Sequence, residues 1–283
     1  MAPRCAGSHP FDGRIDCLPM FWKRKAKSSS APASSSGDYS VPVGRRIYAI
    51  GDIHGRDDLF AQMIDLIRAD HADRDNADVT LILLGDLVDR GPASAKVVER
   101  AIRLRDEFPD TRLLIGNHEE CFLAALTGDV RRLRYFMRIG GDATIRSYWQ
   151  DDANFEDLTF EEVAERLPGL VPAQHVDFLG CGEDVIEIGD YVFVHAGIRP
   201  GVPLEKQALS DLRWIRDEFL DSMSDHGKIV VHGHSITPQP DEQINRIGVD
   251  VGAFRSGVLA ALALEGTQRR FLFARECDKM LIT

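Results

Sequence analysis

Three times in its first half the chain runs from a short apolar segment into a glycine followed by polar residues. Gly51-Asp52-Ile53-His54-Gly55 follows residues 47–50, Gly85-Asp86-Leu87-Val88-Asp89-Arg90-Gly91 follows 79–84, and Gly116-Asn117-His118-Glu119 follows 112–115. Glycine at the end of a buried strand lets backbone and side chains crowd a bound group without Cβ collisions, and ligands in α/β proteins gather at the carboxyl ends of strands. The recurrence predicts three strands that deliver polar loops to one place. Between them Leu59, Met63, Ile64 and Ile67, then Val97, Val98, Ile102 and Leu104, recur at near-helical spacing, which predicts strand-helix-strand crossovers and an α/β first half.

Residues 119–179 read as a helical insertion, with Asp142 a candidate cap for a helix over 143–149 and an acidic stretch over 151–165. Strand patterns return at 185–188, 191–194, 229–231, 248–251, 258–264 and 270–273, with Glu265-Gly266 as a hairpin turn, so a second sheet is expected. No fixed-period repeat occurs, which sets aside solenoids and propellers. Residues 1–44 carry six Lys/Arg against three Asp/Glu, including Lys23-Arg24-Lys25-Ala26-Lys27, and then a Ser/Ala/Pro-rich run. That composition buries too little apolar surface to order itself, so 1–44 is expected to be a flexible tail and 45–283 a single catalytic domain.

With a formal net charge of −11, the chain as a whole repels polyphosphate backbones, and general nucleic-acid binding is not expected. No apolar run approaches the length of a bilayer span and no long apolar leader is present; the expectation is a cytoplasmic protein without stable membrane association. The five cysteines are scattered, never in a Cys-x-x-Cys pair, and read as reduced thiols rather than disulfides or a zinc site.

Asp52 and His54 lie two apart, so in an extended segment both face one side, as two donors to one metal require. Two further strand ends add His195, after residues 191–194, and His232, after 229–231 and before Gly233-His234. Asp52, His54, Asp86, Asn117, His195 and His232 form a mixed oxygen and imidazole set large enough for two ions with a carboxylate to bridge them, and mixed donors favour Mn, Fe or Zn over Mg or Ca. An isolated strand-end Asp is more often a cap or turn former; the joint pattern reverses that weighting. His9, His71, His175 and His226 show no such context, His234 and Asp250 fit a supporting or a structural role equally, and Glu119 reads as a helix-start or supporting group rather than a ligand. Trp149 and Trp214 read as packing residues.

These blocks resemble the calcineurin-like metallophosphoesterases over roughly residues 46–264, and most closely the phosphoprotein phosphatase branch, whose motifs read Gly-Asp-x-His-Gly, Gly-Asp-x-Val-Asp-Arg-Gly and Gly-Asn-His-Glu. The resemblance implies two facing mixed β-sheets flanked by α-helices, with a dimetal site at the strand-end loops. By similarity Asp52, His54 and Asp86 hold one ion, and Asp86, Asn117, His195 and His232 the other, Mn being the first expectation. It also implies that His118 is the general acid, oriented by Asp89, and that Arg90 and Arg199 grip the phosphoryl oxygens while a water activated between the two metals attacks phosphorus. The chain departs from the family in reading His195-Ala196-Gly197 for His-Gly-Gly, in placing Val251 where a hydroxyl residue is usual, and in carrying Phe254 near where some members have tyrosine.

The resulting expectation is a metal-dependent phosphomonoesterase, a bacterial-type Ser/Thr protein phosphatase acting on phosphoproteins or small phosphoesters. The alternatives are a diadenosine tetraphosphate hydrolase, for which residues 119–179 would shape a nucleotide pocket, and a non-catalytic module that binds phosphorylated partners through Arg90 and Arg199.

Overall fold

The computed structural model describes residues 39–149 and 155–276; most of the expected tail and part of the acidic stretch lie outside the described residues. In chain order the strands are β1 (Arg45–Ile50), β2 (Asp78–Leu83), β3 (Asp110–Leu113), β4 (Ile186–Ile188), β5 (Tyr191–Phe193), β6 (Ile229–His232), β7 (Asp241–Glu242), β8 (Arg246–Gly248), β9 (Val258–Glu265) and β10 (Gln268–Arg275). They form two five-stranded sheets, β10-β9-β1-β2-β3 and β4-β5-β6-β8-β7. In the first sheet β1, β2 and β3 are parallel and β9 and β10 are added antiparallel on one side; the second has a parallel β5-β6-β8 centre with antiparallel β4 and β7 at its edges. The parallel strands are joined by α1 (Asp57–Ala72) and α2 (Ser94–Glu107), as the helical spacing predicts.

Side-chain alternation explains why these strands are apolar on both faces. Ile47 and Ala49 of β1, with Leu262 and Leu264 of β9, turn towards Ile186, Phe193, Val231 and Ile247 of the second sheet. Tyr48 and Ile50 turn the other way, onto Leu59, Phe60, Met63 and Ile67 of α1. A strand covered on both sides reads as a near-continuous hydrophobic run. Strand β3 begins two residues earlier than the pattern suggests and β8 lies over 246–248 rather than 248–251, because each ladder is set by its neighbour's register and not by the apolar run alone.

From Asn117 to Gly180 the described residues hold α3 (Asn117–Ala125), α4 (Val130–Phe136), a π-helical turn (Met137–Gly141), α5 (Asp142–Tyr148), α6 (Phe160–Leu170) and α7 (Ala173–Gly180). Asp142 does not cap α5: the helix continues out of the π turn and Asp142 already lies inside it. Residues 39–44 differ from the expected flexible tail as well. Val41 is buried and its amide donates to Gly266, while Ser40 is held by Asp190, so this stretch is pinned to both sheets.

Asp70, near the end of α1, ties that helix to the first sheet. Burial alone would push its carboxyl up, but hydrogen bonds from Arg270 and Tyr48 outweigh this and hold it at about 2. A lowered carboxyl contributes stability that is present above its ordinary value of 3.8 and lost as pH falls towards 2. The gap in unfolding free energy between the wild type and Asp70→Asn, read from urea titrations, is expected to shrink by about 1 kcal/mol between about pH 5 and pH 2, a figure discounted for solvent screening.

Candidate active site

The loops after β1, β2, β3, β5 and β6 converge. Asp52, His54, Asp86, Asn117, His118 and His195 are all buried there. The backbone is bent to aim them: the non-glycine residues with positive φ among those described are His54, Asp86, Asp89, Arg90 and His234, at 46°, 51°, 75°, 67° and 61°. Such conformations are costly and collect where a fold must point side chains at one spot. Gly85 serves the same end, since its φ of +94° and a Cβ only 2.6 Å from His195 Nδ1 would exclude any other residue.

Asp86 is the centre. Its carboxylate belongs to two groups of donor atoms, one with His54 and His118 and one with His195 and His234, each set lying within 4.8 Å of one another. Burial would raise the Asp86 carboxyl, but the surrounding imidazoles of His195, His118, His54 and His234 outweigh it and hold it well below the usual carboxylate range. His54 Nδ1 donates to the Val88 carbonyl at 2.7 Å and His195 Nδ1 to that of Leu84 at 2.7 Å. Each ring thereby presents the lone pair of Nε2 to the centre, the tautomer a metal ligand needs. Burial pushes His54, His195 and His234 down, so all three are neutral near pH 7. Asn117, at the start of α3, places Oδ1 3.1 Å from His195 Nε2.

Asp52 lies beside this centre, its carboxylate accepting the His234 amide at 3.0 Å. Burial, then the charges of Asp250 and Asp86, push its carboxyl up, and burial pushes Asp250 to about 6. Asp250 Oδ2 and His234 Nε2 are buried without a hydrogen-bond partner among the described residues. Crowded carboxylates, neutral imidazoles and orphaned donor atoms are the signature of a site that fits divalent cations, whose charge would relieve the repulsion. Mixed nitrogen and oxygen donors point to a transition metal.

Two of the expected residues lie apart from the donor groups around Asp86. His232 is in neither donor group that shares Asp86; its ring packs against Phe219, its Nδ1 lies 3.0 Å from the Gly233 carbonyl, and its Nε2, like that of His234, is buried without a hydrogen-bond partner among the described residues. His234 stands in the centre instead, 5.1 Å from the His195 ring. In an extended strand the two would share a side; the left-handed turn at His234 separates them. Arg199 is also elsewhere: its guanidinium forks onto Asp211 at 2.8 and 2.7 Å and reaches Glu218. Arg216, exposed just after α8 (Leu209–Trp214), is the arginine of this region that reaches the site, its Nη1 lying 3.5 Å from the His234 carbonyl.

Arg90 is in place, exposed at the mouth over the Phe254 ring, with Nη1 2.6 Å from His54 Nε2 and Nη2 2.9 Å from His118 Nε2. His118 Nδ1 meets Asp89 Oδ2 at 2.5 Å. Burial would lower the His118 imidazole, but the Asp86 and Asp89 carboxylates raise it. Glu119 has a supporting role: its carboxylate accepts the amides of Asp86, Leu87 and Gly116 and so locks two of the loops together. Among the described residues no helix is long and apolar enough to cross a membrane.

Comparison with known proteins agrees with this architecture. The chain is 36% identical over 154 residues to a symmetrical bis(5'-nucleosyl)-tetraphosphatase of Acidovorax ebreus (strain TPSY), covering 54% of this chain and 44% of that protein. It is 37% identical over 174 residues to a zinc-dependent endopolyphosphatase of Saccharomyces cerevisiae, covering 58% and 50%. The chain thus spans about half the length of the curated relatives it matches. In fold it is similar to a solved protein serine/threonine phosphatase of Saccharomyces cerevisiae, with a TM-score of 0.55 at 14% identity over 85% of this chain and 82% of that one. The profile described as calcineurin-like phosphoesterase matches residues 45–258, a span that takes in every loop converging on Asp86, and on that extent of likeness the chain belongs to the calcineurin-like phosphoesterase family.

Proposed function

We propose that the protein is a metal-dependent hydrolase of dinucleoside polyphosphates, cleaving a phosphoanhydride bond at the Asp86 centre. The observation that carries the chemistry is that one carboxylate, Asp86, belongs to both donor groups while His118 stands at its edge. The substrate class rests on the tetraphosphatases to which the chain is similar. Asp52, His54 and Asp86 would hold one divalent cation, and Asp86, Asn117, His195 and His234 a second. When bound, such ions supply Lewis-acid neutralisation of phosphoryl charge and activate a water for attack on phosphorus.

The chain's own residues do the rest. Arg90 and Arg216 are charged donors at the mouth, and a guanidinium fork matches phosphoryl oxygens. His118 holds a proton for the leaving oxygen, while Asp89 fixes its tautomer through Nδ1. A proton on His118 Nε2 and the Arg90 hydrogen bond to that nitrogen exclude each other. The acid form of His118 therefore frees Nη2 of Arg90 for the substrate.

A second reading, Ser/Thr phosphoprotein phosphatase, is favoured by the Asp89–His118 pair itself, because an alkoxide leaves poorly without a proton whereas a nucleotide phosphate needs less help. Turnover of diadenosine tetraphosphate and of a phosphoserine peptide by the full chain with added Mn²⁺ separates them. We expect kcat/KM to favour the dinucleotide by at least about tenfold; the reverse order replaces the first reading with the second, and failure on both removes the catalytic proposal.

The two arginines give a sharper check. Arg216→Ala is expected to raise KM about 10–100-fold, as loss of a charge-assisted phosphate contact worth about 1.5–3 kcal/mol requires. Arg199→Ala, which breaks only the surface ion pairs to Asp211 and Glu218, should leave KM within about twofold. Steady-state kinetics on either substrate would show the reverse if the sequence-based choice of Arg199 were right.

A further inference from the structure

The helical segment after α3 does more than wall the site. Asp89 and Arg90 are consecutive left-handed residues, an arrangement that does not hold itself, and the segment captures both of their amides. Arg90 N donates to the Gly140 carbonyl, in the π turn, at 3.0 Å. Asp89 N donates to Thr144 Oγ1, on α5, at 2.7 Å, with Ser94 Oγ at 3.1 Å. Thr144 Oγ1 also donates to Asp89 Oδ1 at 2.7 Å, the oxygen that His118 does not use. Its remaining lone pair faces Ser94 Oγ at 2.9 Å. A hydroxyl has one proton and two lone pairs, so all three are engaged. Asp89, Ser94 and Thr144 are fully buried, and water does not compete for these bonds.

One side chain therefore grips the amide and the carboxylate of the same residue, fixing backbone and rotamer together. Gly140, with a φ of +111° and a Cβ that would fall 2.8 Å from Arg90 Cγ, lets the segment come this close.

We infer that Thr144 is a positioning residue for the reaction, aiming Asp89 Oδ2 at His118 Nδ1 so that His118 Nε2 is presented to the leaving oxygen. This rests on the reading of His118 as proton donor, in which the proton passes from Nε2 to the leaving oxygen as its bond to phosphorus breaks. No sequence motif points to Thr144, which lies 55 residues from Asp89.

Two measurements on the full chain test it. In the metal-free protein the short His118–Asp89 hydrogen bond should give a strongly downfield imidazole proton resonance, identified by its loss in Asp89→Asn. We expect Thr144→Val to abolish or shift it and Thr144→Ser to retain it; an unchanged resonance in the valine variant overturns the inference without reference to activity. With Mn²⁺ added, kcat and KM are measured on p-nitrophenyl phosphate and on an alkyl phosphate, whose leaving group depends far more on an acid. Misplacing the acid should lower kcat for the alkyl ester about 10–100-fold, part of the roughly 10²–10⁴-fold that general acid catalysis supplies, with a much smaller loss on the aryl ester, little change in KM, and recovery in Thr144→Ser.

Equal losses on both esters show a merely structural role and overturn the inference. Partial unfolding scales both substrates alike and cannot mimic the expected result. Should the valine variant not fold, Thr144→Cys, a weaker hydrogen-bonding group of similar size, takes its place with the same expectation. His118→Asn run in parallel separates the two claims: no leaving-group dependence there removes the reading of His118, whereas dependence there and none in the Thr144 variant removes only the role of Thr144.

Discussion

Asp86→Asn is expected to lower kcat/KM on any phosphoester substrate by about 10³-fold or more, because the one carboxylate common to both donor groups loses its charge. The loss should not come from unfolding. Asp86 accepts the His118 amide at 3.1 Å, which an asparagine oxygen can also do, and its charge adds to that of Asp52 in a buried setting. Removing it eases repulsion with Asp52 while forfeiting the attraction of the surrounding imidazoles, two effects that oppose each other in the metal-free protein. Urea unfolding in the presence of chelator is therefore expected to match the wild type within about 1 kcal/mol.

What should disappear is the response to metal. A ligand that binds only the folded state adds about 2.7 kcal/mol of stability at a hundredfold excess over its Kd, and the variant should gain little or none of this. Turnover within tenfold of the wild type at full metal content would sink the assignment of Asp86 as the shared donor.

The second large effect belongs to His118. His118→Asn keeps a side chain that can hydrogen-bond to Asp89 but offers no proton of suitable acidity. The expected result is a fall in kcat of about 10²–10⁴-fold on an alkyl phosphate with KM within about threefold, since the group acts on the leaving oxygen and not in binding. The loss should be smaller on a dinucleoside polyphosphate, whose leaving phosphate is a weaker base. A uniform loss on both, or a rise in KM without a change in kcat, would assign His118 to binding. The metal-free variant is expected to be less stable than the wild type, because the buried Asp89 carboxylate loses its charged partner, so the kinetics are read on folded protein.

Much of this site could be read before any fold was known, because a strand that ends in glycine and then donor residues announces both its own end and a binding loop. Asp52, His54, Asp86, Asn117 and His195 were legible for that reason, each standing at a fixed offset from an apolar run. The two sheets followed from the same runs, and the hairpin at Glu265-Gly266 from its turn chemistry.

Local pattern could not choose between His232 and His234. They stand two apart on one strand end, and only the left-handed backbone at His234 shows which ring turns to Asp86. It also could not see that Arg199 is held by Asp211 and Glu218 while Arg216 reaches the His234 carbonyl, since ion pairing is a matter of which surfaces meet. Thr144 carries no signal at all in the sequence.

The amino-acid order thus determined the chemistry on offer and the strand ends that present it, because those depend on residue type and short-range periodicity. Which of two neighbouring histidines joins Asp86, which arginine reaches the site and which hydroxyl holds Asp89 was decided only when the chain closed on itself, because aim and hydrogen-bond partnership are set by backbone angles and by residues dozens of positions away.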